Sequence, residues 1–142
     1  MAKTAKQRLG EKKTSKIVTL EKDFAGVKKG QMLFVATPQI VDEYIACIPY
    51  GETRTIERMR ADMATRRKCD ASCPVSTAIF IRISAEAAIE DMDAGVPSTD
   101  VAPFWRLLTS KDKIAKKLSI DPNWLDIQRE MEQQTSAAGA PA

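Results

Sequence analysis

Residues 69–92 of the chain read CDASCPVSTAIFIRISAEAAIEDM, and this stretch decides how the rest of the sequence is interpreted. Pro74 suits the first position of a helix, where its missing N–H costs no hydrogen bond, and Ser72 or Cys73 can stand just outside the first turn. The run STAIFIRI is rich in β-branched residues and alternates, which is typical of a strand. The proline and the alanine-rich continuation nevertheless favour a helix.

Two faces of this predicted helix differ in chemistry. Ser76, Thr77 and Ser84 form a small, uncharged face that could enter a DNA groove. An ordinary core helix has the same pattern, and the stretch alone favours that interpretation. Apolar residues recur every four positions on the broad face expected to be buried, at Val75, Ile79, Ile83 and Ala87, with Ala78, Ile81, Ala85, Ala88 and Met92 beside them.

Composition bounds the class of protein. With 142 residues, 44% hydrophobic and 29% charged, the chain fits one soluble domain, and no apolar run is long enough to cross a bilayer. No secretory signal follows the basic amino terminus, and three cysteines make no paired disulfide framework, so a reducing, cytoplasmic location is expected. Histidine is absent, which excludes Ser-His and Cys-His catalysis and imidazole-based zinc sites.

The net charge of +3 conceals strong segregation. Basic residues concentrate in 1–16, 52–68 and 106–117, whereas 86–100 is acidic. If the basic blocks meet on one face, they bind phosphate; solvated charge on scattered surfaces is the alternative.

The chain divides into four parts by composition. Residues 1–16 are expected to form a basic disordered tail, and 134–142 a second disordered tail. Residues 17–36 contain two short alternating runs, which predict a small β element packed on the domain. Residues 37–133 hold the remaining helices, so the expected fold class is mostly α within α+β, of the winged-helix or helix-turn-helix kind.

Helix boundaries are marked by caps. Thr37 precedes Pro38 at the start of one helix, and Thr53 or Thr55 caps the next, TIERMRADMATRR. A polar connection over 66–73 leads to the Pro74 helix, 111–117 is expected to be a polar turn or wing, and a final helix begins at Asp121-Pro122.

Segments in 37–133 together resemble the DNA-binding domain of the alkylguanine-DNA alkyltransferases, also called methylated-DNA–protein-cysteine methyltransferases. VDEYIACIPYGETRTIERM, at 41–59, is similar to that family's helix ending in Ile-Pro-x-Gly-x-Thr-x-Ser-Tyr-Gly. APFWRLL, at 102–108, lies where the family has Pro-Cys-His-Arg-Val, and 74–82 lies where its recognition helix would be. The closing helix, with QREME at 128–132, is similar as well.

The family's reactive residues are replaced. Its nucleophilic cysteine falls on Phe104 and its activating histidine on Trp105, and neither side chain can form a thiolate or generate one. Its tyrosine that helps rotate the target nucleotide falls on Ile56, and its arginine that fills the vacated space falls on Thr77. The resemblance therefore implies an alkyltransferase-like protein that binds alkylated DNA for repair without a catalytic residue or a cofactor.

Site residues follow from the residue types and from the resemblance. Each group has a structural alternative: helix capping with surface charge for the first, and ordinary core packing for the aromatic residues of the second. Residues expected to contact DNA are Thr53, Arg54, Thr55, Arg58, Ser76 and Thr77. Residues expected to line a pocket for an extruded base are Ile56, Pro103, Phe104, Trp105 and Arg106. The resemblance also implies that Arg106 holds its loop by hydrogen bonds to backbone carbonyls; solvent exposure is the alternative.

Three functions remain open from sequence. The first is a noncatalytic module, expected to be monomeric, that binds double-stranded DNA. The second is a divergent methyltransferase using Cys47, Cys69 or Cys73, and the third is a protein-interaction module that has lost DNA binding. A zinc site would need four ligands and these cysteines supply three, so no metal is expected.

Overall fold

The computed structural model describes residues 4–137 and shows an α+β domain made of helices and one small sheet. The helices are α1 Ala5–Leu9, α2 Pro38–Ala46, α3 Ile56–Arg66, α4 Pro74–Asp93, α5 Lys113–Lys116 and α6 Pro122–Ala137. The strands are β1 Lys16–Thr19, β2 Met32–Val35 and β3 Ala71–Ser72. Two 3₁₀ turns lie at Ser98–Asp100 and Phe104–Arg106.

α4 is the long central helix, and the prediction of a helix beginning at Pro74 is confirmed. It packs against α1 and α2. The predicted apolar surface is buried at Ile81, Ala85, Ala87 and Ala88. It is wrong at its edge, however, because Val75 and Ile79 are each 53% exposed, whereas Thr77 and Ser84 are buried. Phe80 and Ile89 complete the buried stripe.

A polar pair explains why the serine side of α4 can face inward. Ser84 Oγ donates a hydrogen bond of 2.6 Å to Asp42 Oδ1 on α2, so its hydroxyl is satisfied. Small side chains at this crossing let two helices approach closely. The helical period alone could not choose between the two apolar stripes of α4, because both have the same spacing.

The two predicted strands form the antiparallel pair β1–β2, with Ile17 opposite Phe34. Sequence analysis missed β3, which pairs in parallel with β2 and places the strands in the order β1-β2-β3. β3 was hidden in the polar connection 66–73, because two residues are too few to show an alternating pattern. Asp70 extends the contact, since its carboxylate accepts a 2.7 Å hydrogen bond from Met32 N.

The amino-terminal segment is ordered where it was expected to be disordered. Thr4 caps α1, and the carboxylate of Glu90 accepts hydrogen bonds from Ala5 N at 2.7 Å and from Lys6 N at 3.2 Å. Lys6 Nζ lies 2.6 Å from Asp91. The start of α1, in the basic block, thus meets the acidic segment 86–100 through hydrogen bonds and one ion pair, a contact that composition could not reveal.

Two other boundaries differ from expectation. The segment predicted to be a polar turn or wing contains α5, a helix whose residue Ala115 is buried. α6 continues to Ala137, beyond the predicted end of the domain at residue 133. Residues 138–142 of the predicted carboxy-terminal tail, and residues 1–3, lie outside the described residues.

The main core lies between the sheet, α2, α3, α4 and α6. No helix within residues 4–137 combines the length and apolarity needed to cross a membrane. The most deeply buried large side chains of the main core include Phe34, Val41, Ile45, Met59, Met63, Ile81, Phe104, Leu108 and Leu125.

The orientation of α4 can be tested with two isoleucines separated by one position. Ile81→Ala is expected to lower the free energy of unfolding by about 2–5 kcal/mol, because it leaves a cavity in the core. Ile79→Ala, on the exposed side, is expected to cost less than about 1 kcal/mol. Urea denaturation followed by circular dichroism measures both, and a larger loss for Ile79→Ala would contradict this orientation.

Candidate nucleic-acid interface

The turn before α3 and its first helical turn gather the predicted phosphate-contacting residues. Thr55 is the N-cap of α3, and its hydroxyl accepts a 3.0 Å hydrogen bond from Arg58 N. Arg58 has 57% of its side chain exposed, whereas Arg54 is 17% exposed and donates to Thr53 O at 3.0 Å. The structure therefore brings these four residues together at one end of α3.

Arg66 joins this group from the far end of α3. Its guanidinium lies 5.3 Å from the ring centroid of Tyr44, and together with Arg54 and Arg58 it lines a pocket of about 110 Å³. We call the surface formed by Arg54, Arg58 and Arg66 the arginine cluster. Three guanidinium groups around one depression create a local positive potential that a phosphate can enter.

Two carboxylates pair with the arginine cluster: Glu52 Oε1 accepts a 3.0 Å hydrogen bond from Arg54 Nη2, and Asp62 lines the pocket itself. Asp62 accepts a 2.5 Å hydrogen bond from the Tyr44 hydroxyl and lies 3.6 Å from Arg58 Nε. Burial and the hydrogen bond to Asp62 raise the pKa of Tyr44 to about 12, so its hydroxyl remains a donor at neutral pH. Asp62 thus orients Tyr44 and Arg58, and it offsets part of the positive charge.

The remaining predicted DNA contacts lie elsewhere. Thr77 is 2% exposed, so the prediction that it contacts DNA is wrong for this conformation. Ser76 lines a groove with β1 and β2 rather than the arginine cluster. The prediction failed because it placed the polar side of α4 in solvent, whereas Thr77 and Ser84 are buried and Ser84 contacts Asp42 on α2.

The predicted base pocket is divided between the core and a cleft. Phe104 is fully buried, with its ring centroid 5.5 Å from that of Trp105 and 5.8 Å from that of Trp124. Ile56 packs against the same core. Phe104 therefore offers no surface to a ligand in this conformation, and the pocket prediction is wrong for it, whereas Ile56 is only partly buried.

Pro103, Trp105 and Arg106 do line an open cleft of about 620 Å³. Tyr50, which is exposed, lies on its rim with its ring centroid 5.4 Å from the Arg106 guanidinium. Trp105 itself is only 3% exposed, so little of its ring can contact a ligand in the cleft. The cleft also carries acidic and polar groups, namely Asp42, Asp100, Glu132, Thr99 and Gln128.

Arg106 and Glu132 form the best-connected polar contact of the site. Arg106 Nε and Nη2 donate to the two carboxylate oxygens of Glu132 at 2.8 and 3.1 Å, and Arg106 Nη1 donates to Ile48 O at 2.7 Å. Trp105 Nε1 donates to Glu132 at 2.7 Å, and Gly51 N donates to it at 3.3 Å. Arg106 thus donates to one backbone carbonyl, that of Ile48, and otherwise binds the Glu132 carboxylate, so its loop is held mainly by a side chain.

Backbone contacts connect this pair to the arginine cluster. Arg54 N donates to Arg106 O at 2.9 Å, so the turn before α3 is fixed to the 3₁₀ turn that carries Arg106. Arg129 on α6 donates to Trp105 O at 3.2 Å and to Leu108 O at 3.3 Å. The cleft and the arginine cluster therefore share one rigid segment.

Glu132 is held ionised in this environment. Burial favours its neutral form, but hydrogen bonds from Arg106, Trp105 and Gly51 outweigh burial and lower the pKa of Glu132 below its ordinary value of 4.5. The carboxylate is thus a fixed negative charge at neutral pH, paired with Arg106.

Sequence reasoning did not identify Tyr44, Asp62 or Glu132 as site residues. Tyr44 was assigned to the apolar stripe of α2, which is correct for its ring but not for its hydroxyl. Glu132 lies seven positions after the fully buried Leu125 on α6. That spacing puts both residues on one face of the helix, so the sequence pattern could have indicated that Glu132 is buried.

No known protein identifies the chain: comparisons with protein-family models, with curated proteins and with solved structures find no match. Within residues 4–137, no group of three or more His, Cys, Asp or Glu side chains could hold a metal ion. Cys47 is exposed, Cys69 is partly buried and Cys73 is buried.

Replacing Glu132 tests the central ion pair. Glu132→Gln is expected to lower the free energy of unfolding at pH 7 by about 3 kcal/mol, because Arg106 loses its buried counter-charge. The folded-state pKa of Glu132 is lowered. Its contribution to the free energy of unfolding is therefore complete above its ordinary pKa of about 4.5, and it is lost as the pH falls through the lowered folded-state pKa.

The difference between wild type and Glu132→Gln should therefore shrink as the pH falls below about 4.5. Urea denaturation at a series of pH values measures it. Glu130→Gln, an exposed position on the same helix, is the control and should change little. A difference that stays constant down to the acid transition would contradict this account.

Proposed function

We propose that the chain binds double-stranded DNA without catalysing a reaction, using the arginine cluster as its main phosphate-binding surface. The observation that carries this proposal is the convergence of Arg54, Arg58 and Arg66 on one pocket along α3, which begins beside the N-cap Thr55. Backbone N–H groups at a helix start and guanidinium groups beside them are the usual partners of a DNA phosphate.

We further propose that the scaffold is of the alkyltransferase-like, winged-helix kind, and that alkylated guanine is its target in DNA repair. The order of α2, α3 and α4 agrees with the order of the family segments that 37–133 resemble. The cleft at Tyr50 and Arg106 adjoins the arginine cluster through the turn at 48–54, so a nucleotide rotated out of a duplex bound there could enter it.

Lack of catalysis is supported by what occupies the family's reactive positions. Phe104 and Trp105 fill the core there, and neither offers a nucleophile or a base. With no counterpart of the reactive thiol at this position, binding without transfer is the simplest function. We place this function in the cytoplasm and assign it to a monomer.

Gel-shift titration across salt concentrations tests the proposal. Arg58→Glu and Arg66→Glu are each expected to weaken binding to a plain duplex and to reduce the slope of log affinity against log salt by about 1 per lost phosphate contact. Lys29→Glu makes the same charge change at an exposed position between β1 and β2 and should have a smaller effect. Equal weakening by all three would contradict a localised surface.

Parallel titrations with matched oligonucleotides test whether the chain recognises alkylated guanine. Tighter binding to a duplex containing O6-methylguanine than to its unmodified counterpart is expected. Absence of binding to either duplex at low salt would refute DNA binding altogether.

One observation favours the methyltransferase alternative: Cys47 is exposed and lines the same pocket as the arginine cluster. We expect no transfer, because the chain contains no histidine to activate this thiol. Intact mass after incubation with O6-methylguanine duplex should be unchanged. A stoichiometric gain of one methyl group that Cys47→Ser abolishes would show that the chain is an enzyme.

A further inference from the structure

An apolar groove of about 420 Å³ lies between the outer face of α4 and the sheet, away from the arginine cluster. Four exposed apolar side chains surround it, contributed by Val18, Phe24, Val75 and Ile79. We call this surface the β1–α4 groove. The helical spacing of Val75 and Ile79 is that of a buried stripe, yet no described part of the chain covers it.

β1 forms one border of the β1–α4 groove and is an edge strand of the sheet. Leu20 N donates to Gln31 O at 3.0 Å, which fixes the alternation of the antiparallel pair. Ile17 and Thr19 therefore direct their backbone N–H and C=O groups away from β2. This edge can accept an additional strand, as in β-strand addition of a peptide.

The floor of the groove contains an unpaired polar atom. Ser76 Oγ is buried and is the one such side-chain atom without a hydrogen-bond partner among the described residues. An unsatisfied buried hydroxyl costs free energy.

Charge around the groove selects the kind of partner. Residues 12–29 carry six lysines and two carboxylates, hence a local net charge of +4. Lys16 lines the groove, and neither Lys16 nor Lys22 forms an ion pair with any residue in the described range 4–137. A second copy would bring the same positive charge to the same edge, and edge lysines disfavour self-pairing.

We propose that the β1–α4 groove binds an extended segment of a partner protein that presents apolar residues and one acidic residue on its groove-facing side. The segment adds to the free edge of β1, and its apolar side chains enter the groove beside Val75 and Ile79. Its carboxylate faces Lys16, whose side chain lies on the groove side of β1. This inference is independent of DNA binding, because it uses a different surface of the domain.

The probe is a labelled octapeptide in which threonine occupies every second position and the other four positions, which face the groove, hold three valines and one aspartate. It is titrated against the full chain by fluorescence anisotropy. Binding is expected, with changes in the amide NMR signals of Ile17 and Thr19. Ile79→Glu is expected to weaken binding roughly tenfold or more, because it places charge in the contact area. Ile127→Glu, at an equally exposed isoleucine on α6, should leave affinity unchanged.

Two comparison peptides separate the contributions. A peptide with lysine in place of aspartate should bind more weakly, and so should one with a central proline, which cannot donate to the strand edge.

Other outcomes would overturn the proposal. These are absence of binding, equal binding of the lysine peptide, or equal weakening by Ile79→Glu and Ile127→Glu. Sedimentation that shows a dimer dissociated by Val18→Asp would identify a second copy as the occupant instead. Circular dichroism of each variant establishes that it is folded, and both glutamate substitutions are at exposed positions.

Discussion

The bidentate pair between Arg106 and Glu132 organises the polar half of this domain. It is nearly buried, with 14% and 9% of the two side chains exposed, and each partner makes further hydrogen bonds. An ion pair removed from water is stable only when its remaining donors and acceptors are satisfied, and here Trp105, Gly51 and Ile48 satisfy them. The end of α2, the turn before α3, the 3₁₀ turn and α6 consequently share one set of contacts.

That shared set also explains why the arginine cluster and the cleft have fixed relative positions. Arg54 is bonded through its backbone to Arg106, and Arg106 lines the cleft. Tyr44 and Asp62 then orient the guanidinium of Arg58 at the surface. A preorganised group of arginines loses less side-chain entropy on meeting a phosphate than separate, flexible ones would.

Much of the fold could be predicted from sequence, because its signals are local. Thr37, Thr55 and Pro74 mark helix starts, and all three helices begin where these residues placed them. What could not be predicted depended on contacts between distant residues. Ser84 faces inward only because Asp42 receives its hydroxyl, and β3 exists only because β2 lies beside it.

The site divides in the same way. Arg54, Arg58 and Thr55 are adjacent in sequence and were correctly grouped, whereas Arg66 and Tyr44 joined them through the fold. Phe104 illustrates the limit of assigning a residue by its place in a motif, because the aromatic ring predicted to line a base pocket is buried in the core instead.

The attachment of α1 to the far end of α4 has a consequence for the order of folding. Two hydrogen bonds join α1 to Glu90, across sequence separations of 85 positions for Ala5 and 84 for Lys6. Both bonds form at an exposed or partly buried surface. Closing so long a loop yields few buried apolar contacts in return, so α1 gains little until α4 is already packed. We therefore expect α1 to dock last and to detach first, as a separately opening unit whose release leaves the rest of the domain intact.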